Sequence, residues 1–259
     1  MHPILFKFGP ITIYTYGFFL ALGFVTAIIL AGREAKRVGL PVGTFYDLCF
    51  YIIIAALVGS RLLYVLMEWS YFVEHPLEVF VLWKGGLIFH GGLVLGIIVG
   101  FYFMRRYGLP WRLTFDSLAV GTPVGQSLGR VGCFMAGCCY GKPSNLPWAV
   151  TFTDPNTLCP FRESLHPSQL YEALLLLPVF GVVYWMRTRK RFDGQLTLTY
   201  LLLAGIVRFV TEFFRHPADY RGPIIIWDMP ATQVVAFLIA VVSGLLLFRF
   251  WQKAGKAAD

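Results

Sequence analysis

Seven apolar stretches, each near the length of a bilayer-spanning helix, run through this 259-residue chain and leave it few alternatives to a membrane fold. A hydrocarbon core about 30 Å thick takes about 20 helical residues to cross. Residues 11–30, 46–67, 86–103, 113–135, 168–185, 196–214 and 233–250 each meet that requirement with few charges. With 57% hydrophobic and 14% charged residues, the chain cannot hide its apolar surface inside one water-soluble core. The expected fold is an all-α membrane protein of about seven transmembrane helices. It forms a single domain, residues 1–259, with a small outer cap at residues 136–167. The cap is rich in turn-forming residues, and its 148–152 run has the composition of a short strand.

The formal net charge of +8 raises the question of a nucleic-acid partner. Placement answers it. Arg33, Lys36 and Arg37 follow the first span, and Arg105, Arg106 and Arg112 separate the third from the fourth. Arg187, Arg189, Lys190 and Arg191 separate the fifth from the sixth, and Arg249, Lys253 and Lys256 close the chain. Basic residues at alternate connections follow the positive-inside rule, which predicts an outer N-terminus and a cytoplasmic C-terminus. No nucleic-acid partner is expected. Residues 1–10 lack the charged region and small-residue cleavage site of a removable signal peptide, so the first span is expected to stay. The connection at 65–84 carries Trp69, Tyr71, Phe72 and Trp83, aromatic residues suited to the headgroup level.

An ionisable side chain at the centre of a span costs about 2.5–3.5 kcal/mol on insertion scales, so such residues mark function. Tyr16 and His90 fall near the starts of inward-running spans; Arg61, Arg130, Arg208 and Glu212 fall near the ends of outward-running ones. Five helices are thereby expected to bring polar groups to one depth in the outer half of the bilayer. Arg208 and Glu212, four residues apart, share a helical face, which Arg215 extends. Guanidinium forks match phosphate oxygens, so three arginines beside a histidine suit an anionic phospholipid headgroup.

Two glycine-rich stretches accompany these charges. His90 lies among Gly85, Gly86, Gly91 and Gly92, where close helix packing and close approach of a ligand are both open readings. Residues 129–141 surround Arg130 with glycines and with Cys133, Cys138 and Cys139. Adjacent Cys138 and Cys139 do not form the C-x2-C pairs of common zinc sites, and no histidine spacing completes one, so no metal is expected. A structural or disulfide role with Cys159 is expected instead. No cofactor is expected either.

Several blocks resemble the prolipoprotein diacylglyceryl transferase family, in order along nearly the whole chain. They are Tyr14-Thr15-Tyr16-Gly17, Gly59-Ser60-Arg61-Leu62-Leu63-Tyr64, Phe89-His90-Gly91-Gly92-Leu93, the block from His166 to Glu172, and the block from Arg208 to Arg215. The family signature Gly-Arg-x-Gly-Asn-Phe-x-Asn-Gly-Glu is altered here: Cys133, Ala136 and Cys138 replace the two asparagines and the glutamate. Ala204 replaces a tyrosine often found four residues before the span-six arginine.

The resemblance implies transfer of the diacylglyceryl group of phosphatidylglycerol to the lipobox cysteine of a preprolipoprotein. It also implies a multi-pass protein of the bacterial inner membrane with its active site toward the outer leaflet. His90, Arg130 and Arg208 are then the expected catalytic residues. Tyr16, Arg61, Tyr64, Gly91, Gly92, Cys133, Gly141 and Glu212 are the expected substrate-binding ones. A related lipid-modifying transferase with another donor or acceptor, a lipid or anion transporter, and a thiol oxidoreductase remain alternatives at this point.

Overall fold

The computed structural model describes residues 2–9, 11–81, 85–219, 224–226 and 229–256; Trp83, Lys84 and the extreme termini lie outside them. Among the described residues are seven helices of 18 residues or more: α1 (Thr15–Arg37), α2 (Val42–Met67), α4 (Phe89–Arg106), α5 (Trp111–Ala136), α6 (Ser168–Met186), α7 (Gln195–Glu212) and α8 (Ala231–Lys256). A short helix, α3 (Trp69–Glu74), follows α2. Four helices, α1, α2, α6 and α8, are long and apolar enough to cross a membrane. The other three carry more glycine and polar side chains, among them Arg130 in α5 and Arg208 in α7. The chain gathers into two compact units, residues 1–34 with 115–259, and residues 35–114.

The first unit opens with a hairpin, β1 (Ile4–Phe8) against β2 (Ile11–Tyr14), rather than with helix from residue 11. Consecutive β-branched residues at Ile11, Thr12 and Ile13 favour a strand, and Gly9 takes the turn at φ +54°. The helix begins at Thr15, whose amide donates to the Pro3 carbonyl at 2.9 Å. Helix α1 then meets α5 almost backbone to backbone. A Cβ on Gly23 would stand 2.7 Å from the Gly125 carbonyl oxygen, and one on Gly121 would stand 2.1 Å from that of Ala27. Each helix presents small residues four apart, the spacing that lets two helices close without a hydrophobic drive between them.

Ala119 and Val120 of α5, Val179 and Val183 of α6, and Leu196 of α7 form a buried apolar centre. Gly205 of α7 receives α8 at Ala236 and Ala240. At the end of this unit that carries the basic connection, buried Asp116 accepts from the amides of Gly194 and Thr197, from the Thr197 hydroxyl, and from Lys190 at 3.0 Å. Burial works against the Lys190 charge, but hydrogen bonds to Asp193 and Asp116 outweigh it and hold its pKa above the usual lysine value.

The segment at 136–167 folds back on itself through single bridges, not strands. Val150 and Pro143 each pair with Leu165, so the 148–152 run contributes one bridging residue. Tyr140, Phe152, Cys159 and Leu165 make its small core.

In the second unit, α2 and α4 cross at glycines. A Cβ on Gly59 would lie 2.4 Å from the Gly91 carbonyl oxygen, and one on Gly92 would lie 2.3 Å from Ser60 Oγ. Gly91 and Gly92 thus take part in close helix packing. The chain between the helices forms α3 and a 3-10 turn at Pro76–Phe80, with Trp69, Leu77 and Phe80 exposed.

Candidate active site

Glu172 organises the polar centre of the first unit. It sits one turn into α6, and its two oxygens reach different helices: Oε1 lies 2.9 Å from Arg130 Nε of α5, and Oε2 lies 3.1 Å from Arg208 Nη1 of α7. Arg208 also approaches Glu212 on its own helix, Nη2 to Oε2 at 2.7 Å, which is the pair expected from their spacing. That contact is an ion pair without hydrogen-bond alignment. Arg215 flanks the same oxygen at 3.6 Å, and Thr232 of α8 donates to the other at 2.8 Å. Glu212 is 1% exposed, so its charge depends on these partners.

A small cavity is lined by Arg130, Arg208, Arg215, Glu172, Gln169 and Cys139, among others. Among its described lining residues the arginines outnumber the one carboxylate, Glu172. Gln169 is 1% exposed, and its Oε1 accepts no hydrogen bond within the described protein. The wall therefore presents guanidinium groups and one acceptor without a described donor.

Glu172, Gln169 and Ser168 were not singled out from sequence. The signal for Glu172 was present: it is an acidic residue inside an apolar 19-residue helix, as costly there as Arg130 is in α5. Gln169 and Ser168 matter through the backbone. Gln169 Nε2 donates to the Cys138 carbonyl and Ser168 Oγ to the Cys139 carbonyl, each at 2.8 Å.

These bonds pin the end of α5. The Cys138 amide reaches the Cys133 carbonyl at 3.2 Å and the Gly137 amide that of Phe134 at 3.2 Å, with Gly137 at φ +77°. This is a Schellman cap, which sets the residue after the glycine beside the one three places inside the helix. Cys139 follows at φ +59°, so that the sulfurs of Cys133, Cys138 and Cys139 all lie within 4.8 Å of one another. Tyr16 of α1 is within electrostatic reach of all three and of Arg130. None of the five cysteines is bridged in the structure, and Cys159 packs with Phe152 and Leu165, the structural one of the two roles expected of it.

Gly141 is buried where only a glycine fits. A Cβ there would stand 2.4 Å from the His166 carbonyl oxygen and 2.8 Å from that of Phe214. Its place in the structure is to join the 136–167 segment to the start of α6 and the end of α7.

Arg61, Tyr64, His90, Gly91 and Gly92 belong to the second unit. Arg61 is 8% exposed and spends most of its donors on carbonyls: Nε to Val79 at 2.9 Å, Nη1 to Gly85 at 2.8 Å and Gly86 at 3.2 Å, and Nη2 to Glu78. Its guanidinium also lies 5.4 Å and 5.3 Å from the ring centres of Tyr64 and Phe72. Arg61 is a clasp on the connection between α2 and α4, and Tyr64 packs against Gly86 beneath it. His90 is exposed in the first turn of α4, its ring 5.8 Å from that of Phe89.

Apolar helices, with an arginine-lined pocket built on Glu172 among them, define a multi-pass membrane protein. The chain belongs to the prolipoprotein diacylglyceryl transferase family, whose model matches residues 3–249, and is thus a transferase. It is 36% identical over 251 residues, 95% of this chain and 93% of the relative, to the phosphatidylglycerol–prolipoprotein diacylglyceryl transferase of Bordetella avium. The proteins of that name from Geobacter sulfurreducens and Clostridioides difficile are 36% and 30% identical, covering 85% and 99% of this chain and 84% and 98% of their own lengths.

Proposed function

We propose that this protein moves the diacylglyceryl group of phosphatidylglycerol onto the lipobox cysteine thiol of a preprolipoprotein, the first step of bacterial lipoprotein maturation. The observation that carries this reading is the Glu172-centred pair of Arg130 and Arg208, in a cavity that Arg215 also lines. A phosphodiester headgroup is an anion, and guanidinium groups held by a shared carboxylate match its oxygens.

In the transfer, the acceptor sulfur forms a bond to the glyceryl carbon while the bond from that carbon to the phosphate oxygen breaks. The electron pair leaves on that oxygen, so the departing glycerol phosphate gains a negative charge, and the thiol proton passes to a base. Arg130 and Arg208 stand where guanidinium groups can neutralise the developing charge. Glu172 holds both in place, Glu212 orients Arg208, and Arg215 adds to the field. Gln169 Oε1 is an acceptor for a headgroup hydroxyl. Tyr16 and Cys133 border the same polar centre as substrate contacts.

For the second unit, the family blocks carry the reading: His90 is the candidate base, and Arg61, Tyr64, Gly91 and Gly92 support substrate through the connection they hold. Seven spans in one domain, an outer N-terminus, a cytoplasmic C-terminus and a site toward the outer leaflet of the inner membrane complete the proposal. Seven helices of sufficient length and the alternating basic connections support it.

The direct test is purified protein with a lipobox peptide and phosphatidylglycerol, with phosphatidylethanolamine as the alternative donor. Transfer from phosphatidylglycerol that is lost in Arg130→Ala and Arg208→Ala supports the assignment; full transfer in both variants sinks it. An unchanged pH–rate profile in His90→Gln removes His90 as the base.

A further inference from the structure

We propose that Cys133, Cys138 and Cys139 form a three-thiolate site for a thiophilic d10 metal ion, Zn²⁺ or Cu⁺, at the wall of the arginine cavity. In sequence the two adjacent cysteines lack metal-ligand spacing. The helix cap supplies what the spacing lacks. By setting Cys138 beside Cys133 and turning the chain through Gly137 and Cys139, it gathers three sulfurs within 4.8 Å of one another.

A metal–sulfur bond of about 2.3 Å places tetrahedral ligand sulfurs about 3.8 Å apart. The trio therefore needs a closure of about 1 Å, within reach of side-chain rotation. Its backbone is already held: the Cys138 and Cys139 carbonyls are tied to Gln169 and Ser168, so the loop does not have to be ordered on binding. None of the three is in a disulfide, and each residue is only partly buried.

The surrounding charge favours a thiolate cluster. Three thiolates around a divalent ion carry one net negative charge, and Cys139 lines the cavity that holds Arg130 and Arg215. Soft sulfur donors select Zn²⁺ and Cu⁺ over Mg²⁺ or Ca²⁺, which take oxygen. Three protein ligands also leave one tetrahedral position for water or an incoming group. Cys159, in its apolar core, is not part of the cluster.

The test uses reduced full-length protein in detergent under anaerobic conditions, titrated with Cd²⁺ as a spectroscopic probe and with Zn²⁺ in competition. The expected result is one ion per chain with a thiolate-to-metal charge-transfer band. Each of Cys133→Ser, Cys138→Ser and Cys139→Ser weakens binding by about 100-fold or more, and Cys49→Ala leaves it unchanged. Should a serine variant fail to fold, the wild-type protein answers alone: Zn²⁺ should protect these three residues, mapped by mass spectrometry, from maleimide. Absence of the band, binding that survives loss of all three thiols, or no protection overturns the site. None of these readouts depends on lipid transfer, so failure here leaves the proposed reaction standing, and the reverse holds.

Discussion

Arg130 Nε stands 2.9 Å from Glu172 Oε1, and the second oxygen of that carboxylate carries Arg208 at 3.1 Å. One acidic side chain thus sets the spacing of two cations from different helices. Bringing like charges together in low dielectric is costly, and the shared counter-ion offsets that cost.

Neutralising this carboxylate should separate binding from chemistry. Glu172→Gln leaves the pocket with more positive charge but releases both guanidinium groups from their fixed positions. The expected outcome is tighter binding of an anionic lipid, with transfer lowered by about 10²-fold, as for loss of an aligned charge stabiliser. Lipid affinity and single-turnover rate, measured side by side, check it; an unchanged rate removes the positioning role.

Arg61 should behave as a fold residue. Arg61→Ala removes the guanidinium donor from the carbonyls of residues 78, 79, 85 and 86, leaving residue 78 with the Val81 amide, and Arg61→Lys cannot reach them all with one ammonium group. Both variants should lose thermal stability and gain protease cleavage between α2 and α4. Wild-type stability in Arg61→Lys argues against the clasp.

The α1–α5 contact leaves no room for a methyl group. Gly121→Ala drives a Cβ to within 2.1 Å of the Ala27 carbonyl oxygen, so the helices must part. Overpacking of this kind costs about 1–3 kcal/mol. Gly129→Ala in the same helix, where a Cβ meets nothing within 4 Å, is the matched control. Denaturant unfolding of the pair in detergent reads the difference.

The Lys190–Asp116 contact predicts a pH dependence. Lys190 has a folded pKa raised above its unfolded value, so its stabilisation is complete below the ordinary lysine pKa of about 10.4 and fades as pH rises through the folded value. The stability gap between wild type and Lys190→Met should hold steady from about pH 7 to 9 and shrink above about pH 10.5. A gap that stays constant to higher pH assigns the difference to packing of the lysine stem.

Sequence by itself determined the long helices, because apolar runs and their polar breaks are local properties. The expected spans at 46–67 and 168–185 meet α2 and α6 within a few residues. Local geometry also sufficed for Arg208 and Glu212, whose four-residue spacing fixes a shared helical face. The first helix starts at Thr15 and not at residue 11, because apolar Ile11 and Ile13 satisfy hydropathy equally as strand or helix, and pairing with Ile4–Phe8 selects the strand. Tertiary structure alone decided that Glu172 bridges two arginines, that Arg61 faces carbonyls, that Gly91 and Gly92 receive a neighbouring helix, and that three sulfurs meet at the end of α5. Each of these depends on which partner stands opposite a side chain. Helical periodicity says which face a residue occupies, but the identity of the opposing group comes only from packing and capping.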